Sequence, residues 1–534
     1  MKKGLTGVSL FTVCGLYILL SAFIIAISFL MGQSVLFGIM VSIIFLCLQF
    51  LISPFLTDLS MKWFYKATFD AKMPDYLTNF IQEVCQKENM KLPRIGYIDD
   101  GSPNAFTYGH TKNDARIVIT RGIFDLLSEE EVKAVVGHEL GHAVHYDMLV
   151  MTTAQVVPLV LYGIYEVCTR RNHSSSSNKS DSAIYLIGIA AYILYIISNF
   201  IVLWLSRTRE YYADSYSIEI TKNPFALSNA LVKIGYGLTT TKQDKKNLVS
   251  KSNALGIFDA KTSKSLVVSS FDDGRISIEN IQSAMKWEKW NIWAKLFEIN
   301  STHPLISKRL LAISERSAEF NQPPYITFNL QQPESYLDDF IIELVISMLP
   351  SIIAFFGIFA LIVMLITNTL KNAMLTVSII WFLITITSFI KFVRKRPNRN
   401  YESKTVKELL GEVKVSNITA IPCELEGEVI GRGNPGYIFN EDMVIKDSTG
   451  ILFLDYNQPL WIINKIFALF QNGQMAGKRI KIKGWYRRNP VPYVEIKSYT
   501  VDGIESKIFT YPFCIAGYIV SIILCIVFCI SIYL

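Results

Sequence analysis

Charged residues are scarce in this chain. They make up 18% of its 534 residues, whereas 51% are hydrophobic, and a soluble domain of this size rarely has so apolar a composition. The apolar residues are gathered into discrete runs, as they are in membrane proteins. The composition therefore argues against an ordinary soluble globular protein and predicts an integral membrane protein in contact with lipid.

Cysteine pairs with metal-binding spacing are absent. None of the eight cysteines forms a Cys-x-x-Cys pair, and all except Cys85 and Cys423 lie in or at the edge of apolar runs. This pattern argues against a disulfide framework and against a thiolate zinc cluster. Histidine is scarce as well, with six residues in the whole chain, so a regular spacing between two of them is informative.

Seven stretches approach the roughly 20 apolar residues that span a bilayer as a helix. They are residues 8–31, 34–56, 148–168, 184–205, 340–367, 371–392 and 511–534. The first stretch is too long for the apolar core of a signal peptide, and a second follows at once, so we expect a retained anchor in a hairpin. The third contains Thr152, Gln155 and Glu166, which predicts a cavity-lining or partly inserted helix.

The basic residues lie beside these apolar runs. Net charge is +7; Lys2 and Lys3 precede the first run, and Lys391, Arg394, Lys395 and Arg396 end the sixth. With seven spans, both clusters fall on one side of the membrane, which the positive-inside rule assigns to the cytoplasm. The segments 57–147, 206–339 and 393–510 share that side. Charge of this kind flanks membrane spans, and we expect no nucleic-acid partner.

The pattern of strand-like runs in residues 401–505 predicts a separate β domain. Five strand-like runs are present, with a helical stretch, Pro459–Phe470, between the third and the fourth. The runs are Cys423–Gly431, Tyr437–Lys446, Ile451–Tyr456, Arg479–Tyr486 and Tyr493–Asp502. This arrangement resembles an OB-type barrel. Its aromatic residues do not form a stacking platform for bases, so contacts with proteins are the expected role.

The most informative motif is His138-Glu139-Leu-Gly-His142. Ser128 and Glu131 fit a capping box, which predicts that a helix begins there. On that helix the two histidines are four residues apart and lie on one face, where they can bind one zinc ion. Glu139 is placed to reach a water on the metal. Two chance histidines on a surface helix are the alternative, which their scarcity makes improbable.

A catalytic zinc site needs a third protein ligand. The position ten residues after His138 is Met148, so a third histidine is missing there, and His145 lies too far along the helix axis at a rise of about 1.5 Å per residue. A carboxylate after the fourth span is the best candidate. Glu210 and Asp214 share a helix face, so one could bind the metal and the other could accept the second N–H of a ligating histidine. Ordinary ion pairing in solvent is the alternative.

Four motifs in order resemble the signature of HtpX-type membrane metallopeptidases, with the type 1 CAAX prenyl proteases as more distant relatives. They are Asn104-Ala105-Phe106, His138-Glu139-Leu-Gly-His142, Arg209-Glu210-Tyr-x-Ala213-Asp214 and Thr302-His303-Pro304. The resemblance covers roughly residues 60–320. It implies that Glu210 is the third zinc ligand and that Asp214 supports a ligand. It also implies that the protein lies in the cell (inner) membrane and that its active site faces the cytoplasm. It also implies degradation of damaged or misfolded membrane proteins.

Two further candidate sites each have a structural alternative to a functional role. Asn104 and Ala105 begin a predicted strand, and an edge strand above a zinc helix can bind an extended substrate by main-chain pairing; a plain structural hairpin is the alternative. His303 precedes Pro304, which suits a helix start without any catalytic role. The resemblance suggests instead that His303 approaches the metal and assists catalysis.

The predicted fold is an α-helical multi-span membrane protein with a mostly helical zincin-type catalytic domain, a small β-hairpin or sheet, and the OB-like domain. Its parts are a transmembrane hairpin (1–56), a zinc peptidase domain (57–339), a second hairpin (340–392), the β domain (401–505) and a terminal span (511–534). The paired spans at 340–392, the β domain and a polar stretch at 240–275 are additions to the simple HtpX-like plan. Two other functions stay open: a CAAX-type processing protease, and a non-catalytic membrane scaffold that uses the β domain.

Overall fold

The computed structural model describes residues 9, 11–20, 23–24, 51–52, 55–69, 71–170, 179–237, 277–366, 370–489 and 491–533. Most of the first two predicted spans and the stretch 240–275 lie outside these residues. The chain divides into two compact units, Met1–Leu231 with Phe297–Thr327, and Val232–Leu296 with Phe328–Leu534. Each unit is described by itself.

The first unit begins with a small sheet flanked by helices. Its elements are β1 (Thr68–Phe69), α1 (Asp75–Lys87), β2 (Arg94–Ile98), β3 (Ala105–Gly109), β4 (Ala115–Thr120), α2 (Arg121–Leu126) and α3 (Glu129–Val144). The strand order is β1-β2-β4-β3, with β2 parallel and β3 antiparallel to β4. The predicted hairpin is therefore present, and β3 forms one edge of this sheet among the described strands.

Helix α3 begins where the sequence predicts. The Ser128 hydroxyl accepts the Glu131 N–H, and the Glu131 carboxylate accepts the Ser128 N–H over 2.9 Å, which completes the capping box. Two long helices follow, α4 (Asp147–Arg170) and α5 (Lys179–Thr221). The 43 residues of α5 span about 65 Å at 1.5 Å per residue, twice the hydrocarbon thickness of a bilayer. Its final turns thus extend beyond the membrane.

Short helices complete the first unit and lead into the second. They are α6 (Pro224–Gly235), α7 (Ile278–Trp290), α8 (Ile292–Ile299) and α9 (Ile306–Arg316). In the first unit, α9 packs against α5 through a cluster that includes Ile218, Leu227 and Ile313.

The second unit joins membrane helices to a barrel. Helices α10 (Leu337–Ile366) and α11 (Leu370–Lys395) precede it, and α15 (Thr510–Tyr533) follows it. The described residues contain five helices that are long and apolar enough to cross a membrane. Four lie at the predicted spans 148–168, 340–367, 371–392 and 511–534, and the fifth contains 184–205. The chain is an integral membrane protein.

The described part of the second unit contains ten further elements between α11 and α15, and most of them belong to the β domain. They are β5 (Glu402–Ser403), α12 (Val406–Leu410), β6 (Ile421–Arg432), β7 (Met443–Lys446), β8 (Ile451–Asp455), α13 (Trp461–Phe470), α14 (Asn472–Met475), β9 (Arg479–Asn489), β10 (Val491–Val501) and β11 (Ile504–Lys507). Strands β6, β7, β8, β10 and β9 pair in a closed ring. The domain is therefore a five-stranded barrel, and its assignment to the OB type stays a prediction.

One strand is shorter than the sequence predicts. The run 437–446 pairs only from Met443 onward, because residues 434–440 turn instead. The Tyr437 N–H donates to the Asn434 carbonyl, and the Asn440 N–H donates to the Tyr437 carbonyl. Arg432 also donates to the Tyr437 carbonyl, so that backbone group is not available to a strand partner.

Candidate metal centre

Two helices bring three potential metal ligands together. His138 and His142 lie on α3 and Glu210 lies on α5, and one ligand atom from each falls within 4.8 Å of the others. The two Nε2 atoms are 3.2 Å apart. The Glu210 carboxylate oxygens lie 3.6 Å from Nε2 of His138 and 3.5 Å from Nε2 of His142.

Close packing of α3 on α5 makes this convergence possible. A Cβ on Gly141 would lie 3.2 Å from Cα of Ala213, so a larger residue would push the helices apart. The Ser217 hydroxyl also donates to the Ala134 carbonyl over 2.6 Å. The expectation that Gly141 and Ala213 allow a close approach is consistent with this contact.

The geometry fits a zinc ion. Ligand atoms about 2.0–2.1 Å from a tetrahedral zinc are roughly 3.3 Å from one another, close to the three distances above. Charge agrees as well. Four buried carboxylates (Glu139, Asp147, Glu210 and Asp214) and two buried guanidinium groups, those of Arg209 and Arg309, belong to this region. With both ligand imidazoles neutral, as metal binding requires, two negative charges are left for a divalent cation to balance.

Each imidazole is oriented by a carboxylate behind it. Nδ1 of His138 lies 2.9 Å from Oδ1 of Asp214, and Nδ1 of His142 lies 2.6 Å from Oδ2 of Asp147. Such a partner fixes the ring tautomer so that Nε2 presents its lone pair to the metal. Asp214 stands where the sequence predicts a supporting acid. Asp147 was not singled out, although it lies only five residues after His142.

Two arginines hold these carboxylates. Arg309 donates to both oxygens of Asp214, over 2.8 and 2.6 Å, and its Nη1 lies 3.2 Å from Glu210. Arg209 donates to Asp147 and, over 2.8 Å, to the His145 carbonyl. Sequence reasoning missed Arg309 because its only signal is its position on a helix six residues after His303.

Protonation of the histidines is coupled to these charges. Burial lowers the pKa of His138, but hydrogen bonds with Asp214 and Glu210 outweigh burial and raise it to about 10. Burial, and then the charge of His138, lowers the pKa of His142. Burial also acts against Arg309, yet Asp214 and Glu210 raise its pKa and keep it charged. A cation entering this site therefore displaces a proton from His138.

Glu139 lies beside the ligands and contacts the edge strand. It is 7% exposed, and its Oε2 accepts the hydroxyl hydrogen of Thr107 over 2.8 Å. The same hydroxyl lies 3.2 Å from the Glu139 carbonyl oxygen. Strand β3 is thus placed against the zinc-motif helix. Thr107 was not identified as a site residue, since a strand threonine carries no distinctive pattern.

The remaining candidates are also placed. Nδ1 of the exposed His303 lies 3.0 Å from Oε2 of Glu210, so the structure brings this histidine to the ligand group. The backbone of Asn104 is tied to Thr120, whose hydroxyl accepts the Asn104 N–H over 2.8 Å. Ala105 begins β3 and pairs with Ile119. His145 is outside the ligand group and stacks edge-on against Tyr216.

Comparison with known proteins identifies the class. The model of peptidase family M48 matches residues 72–317. A protease HtpX homolog of Methanothermobacter thermautotrophicus is 41% identical over 198 residues, which are 37% of this chain and 72% of that protein. A protease HtpX homolog of Picrophilus torridus is 30% identical over 223 residues, 41% of this chain and 71% of that protein.

These matches and the ligand group define a membrane metalloprotease. The chain belongs to the HtpX proteases of peptidase family M48, and the resemblance found in the sequence is confirmed. The crystal structure of S. mikatae Ste24p is 19% identical, with 55% of this chain and 62% of that chain covered. Its TM-score of 0.34 is below the level at which two chains share an overall fold.

Proposed function

We propose that this protein is a zinc-dependent endopeptidase that cleaves misfolded or damaged proteins of the cell (inner) membrane from the cytoplasmic side. The convergence of two imidazole Nε2 atoms and one carboxylate, with Glu139 beside them, carries the proposal. His138, His142 and Glu210 would hold one Zn²⁺. When bound, the ion would polarise the peptide carbonyl and make a water more acidic.

Glu139 is the proposed general base. Its carboxylate takes the proton of the attacking water and then delivers it to the leaving amine. The Thr107 hydroxyl holds one carboxylate oxygen, so the other is free to face the water. Glu139 adjoins a metal ligand in the chain, and this places it near the carbonyl under attack.

The remaining site residues position these groups. Asp147 and Asp214 keep the imidazoles oriented, and the Arg309 guanidinium pairs with the carboxylates of both Asp214 and Glu210. The exposed ring of His303 faces Glu210 from the solvent side and is proposed to stabilise the developing oxyanion. The substrate backbone is proposed to pair with the edge strand near Asn104 and Ala105.

Metal analysis combined with an activity assay tests the proposal. Purified full-length protein should contain one zinc per chain and cleave an unfolded casein-type substrate, and a chelator should abolish cleavage until zinc is restored. Glu210→Ala should lose the metal, whereas Glu315→Ala, on an exposed part of α9, should keep it. Zinc content that is unchanged in Glu210→Ala would place the third ligand elsewhere.

A further inference from the structure

A groove opens between the two membrane helices that adjoin the metal centre. It has a volume of about 320 Å³ and is lined by residues of α4 and α5, together with Thr302. Its membrane part carries apolar and aromatic side chains, among them Leu159, Tyr162 and Tyr195. The groove therefore offers an apolar surface within the span of the bilayer.

Two amide side chains lie in this apolar groove. Gln155 on α4 and Asn199 on α5 both line it, and both lie inside helices that are long and apolar enough to cross a membrane. Gln155 is exposed and Asn199 is partly exposed, and neither has a hydrogen-bond partner within the part of the chain that the structure describes. An amide facing hydrocarbon without a partner is costly, so such residues mark a functional surface.

The two amides supply both kinds of hydrogen-bonding group. The side chains of Gln155 on α4 and Asn199 on α5 each carry an N–H donor and a C=O acceptor. The groove thus combines donors and acceptors on both helices, which is the chemistry needed to pair with an exposed peptide backbone.

The groove leads to the metal centre. Ser206 lines its end and lies one helical turn before Glu210 on α5. Thr302 lines the same end and directly precedes His303, whose Nδ1 contacts Glu210. A chain lying in the groove would therefore leave the bilayer beside the proposed zinc ligands.

We infer that this groove binds the end of a substrate's transmembrane segment in an unwound, extended form, with Gln155 and Asn199 hydrogen-bonding its backbone. The inference rests on the proposed protease function and names its substrate subsite. A continuous helix satisfies its own backbone groups and gains nothing from the two amides. An unwound end has free N–H and C=O groups that require partners in lipid. The site would thus select spans whose ends unfold readily.

Kinetics on two substrates test this subsite. One is a soluble unfolded peptide, and the other carries the same cleavage sequence just beyond a single transmembrane segment, co-reconstituted with the full-length protein. Gln155→Leu and Asn199→Leu should each lower kcat/KM on the membrane substrate roughly three- to tenfold and leave the soluble peptide unaffected. Tyr185→Leu alters a polar residue of α5 that is 46% exposed and lies outside the groove, and it should change the kinetics on neither substrate.

Equal effects of the amide variants on both substrates, or no effect on the membrane substrate, would overturn the subsite. A wild-type protein that cleaves neither substrate would instead refute the proposed function. The substrate's own helix gives a second comparison. Glycines at the end of its span should raise kcat/KM relative to leucines, and this difference should disappear in the Gln155→Leu, Asn199→Leu double variant.

Photo-crosslinking identifies what occupies the groove. A photoreactive residue is introduced at position 203 or at position 204 of the Glu139→Gln variant. Leu203 lines the groove, whereas the exposed Trp204 lies at nearly the same depth in the membrane but outside the groove. We expect the transmembrane substrate to crosslink to position 203 with a much higher yield than to position 204. Capture of only lipid, or only another segment of this chain, at position 203 would show that the groove has a different occupant.

Discussion

The hydroxyl of Thr107 donates to a carboxylate oxygen of Glu139 over 2.8 Å, which joins the edge strand of the small sheet to the zinc-motif helix. The proposed general base is therefore held by the strand along which the substrate backbone is proposed to lie. Substrate binding and base orientation would then depend on the same element.

Removal of this hydroxyl should lower turnover. In Thr107→Val the Glu139 side chain loses its anchor, and we expect kcat to fall about tenfold, equivalent to one lost hydrogen bond to a charged group, with KM little changed. Thr107→Ser keeps the hydroxyl and should retain most of the activity. Steady-state kinetics on the unfolded substrate measures both values. A rise in KM with kcat unchanged in Thr107→Val, or an inactive Thr107→Ser variant, would contradict the positioning role.

Glu139→Gln should separate metal binding from catalysis. The amide keeps the size of the side chain but cannot take a proton from water. Activity should therefore fall by roughly 10²- to 10⁴-fold, which is the usual contribution of a general base. Zinc content, measured by mass spectrometry of the purified protein, should stay at the wild-type value. Full activity in this variant would reject Glu139 as the base.

The two carboxylates behind the histidines should control metal affinity. Asp147→Asn and Asp214→Asn remove the charge that orients His142 and His138, and each should weaken zinc binding about 10- to 100-fold. Competition with a chromophoric chelator gives the affinity. The matched control is Asp99→Asn, because Asp99 is 78% exposed and pairs only with Arg121 among the contacts described. Similar affinities in all three variants would show that these acids do not support the ligands.

The barrel should lose stability as pH rises. Burial, followed by the charge of Asp455, raises the pKa of Asp442 to about 7, whereas the unfolded carboxyl titrates near 4. The folded state therefore binds the proton more tightly, and the free energy of unfolding should fall between pH 4 and pH 7 and level off above. The expected loss is roughly 2–4 kcal/mol.

Hydrogen exchange of the β7 and β8 amides at pH 5 and pH 8, corrected for intrinsic rates, measures this loss in the full chain. Asp442→Asn should reduce the pH dependence, because this buried group no longer ionises, and the remainder should come from Asp455, whose pKa burial raises to about 6. Asp502→Asn, at a carboxylate that is 72% exposed, should leave it unchanged. Protection that is the same at both pH values in the wild type would contradict the prediction.

Short-range sequence patterns determined much of this site. The spacing of His138 and His142 on one helix face follows from the helical period, and the capping box at Ser128 follows from local hydrogen bonding. Hydropathy placed the five described spans because a bilayer requires about 20 apolar residues. These features depend on residues that are near one another in the chain.

The contacts between distant residues needed the tertiary structure. From the residues alone, Glu210 and Asp214 were both possible ligands, and the resemblance chose Glu210. The structure places the Glu210 carboxylate beside both Nε2 atoms and Asp214 behind His138. Thr107, Asp147 and Arg309 were not identified, since a threonine, an aspartate or an arginine has no spacing that reveals its partner.

The sequence by itself determined the membrane class, the zinc-motif helix and the family, because hydropathy and motif order are carried by the chain without reference to its fold. Only the tertiary structure decided which carboxylate meets the histidines, which strand holds the base, and that a groove with two amides reaches the metal centre. These depend on the packing of α3 on α5 and of α4 beside α5. That packing is set by side-chain shapes far apart in sequence, such as Gly141 against Ala213.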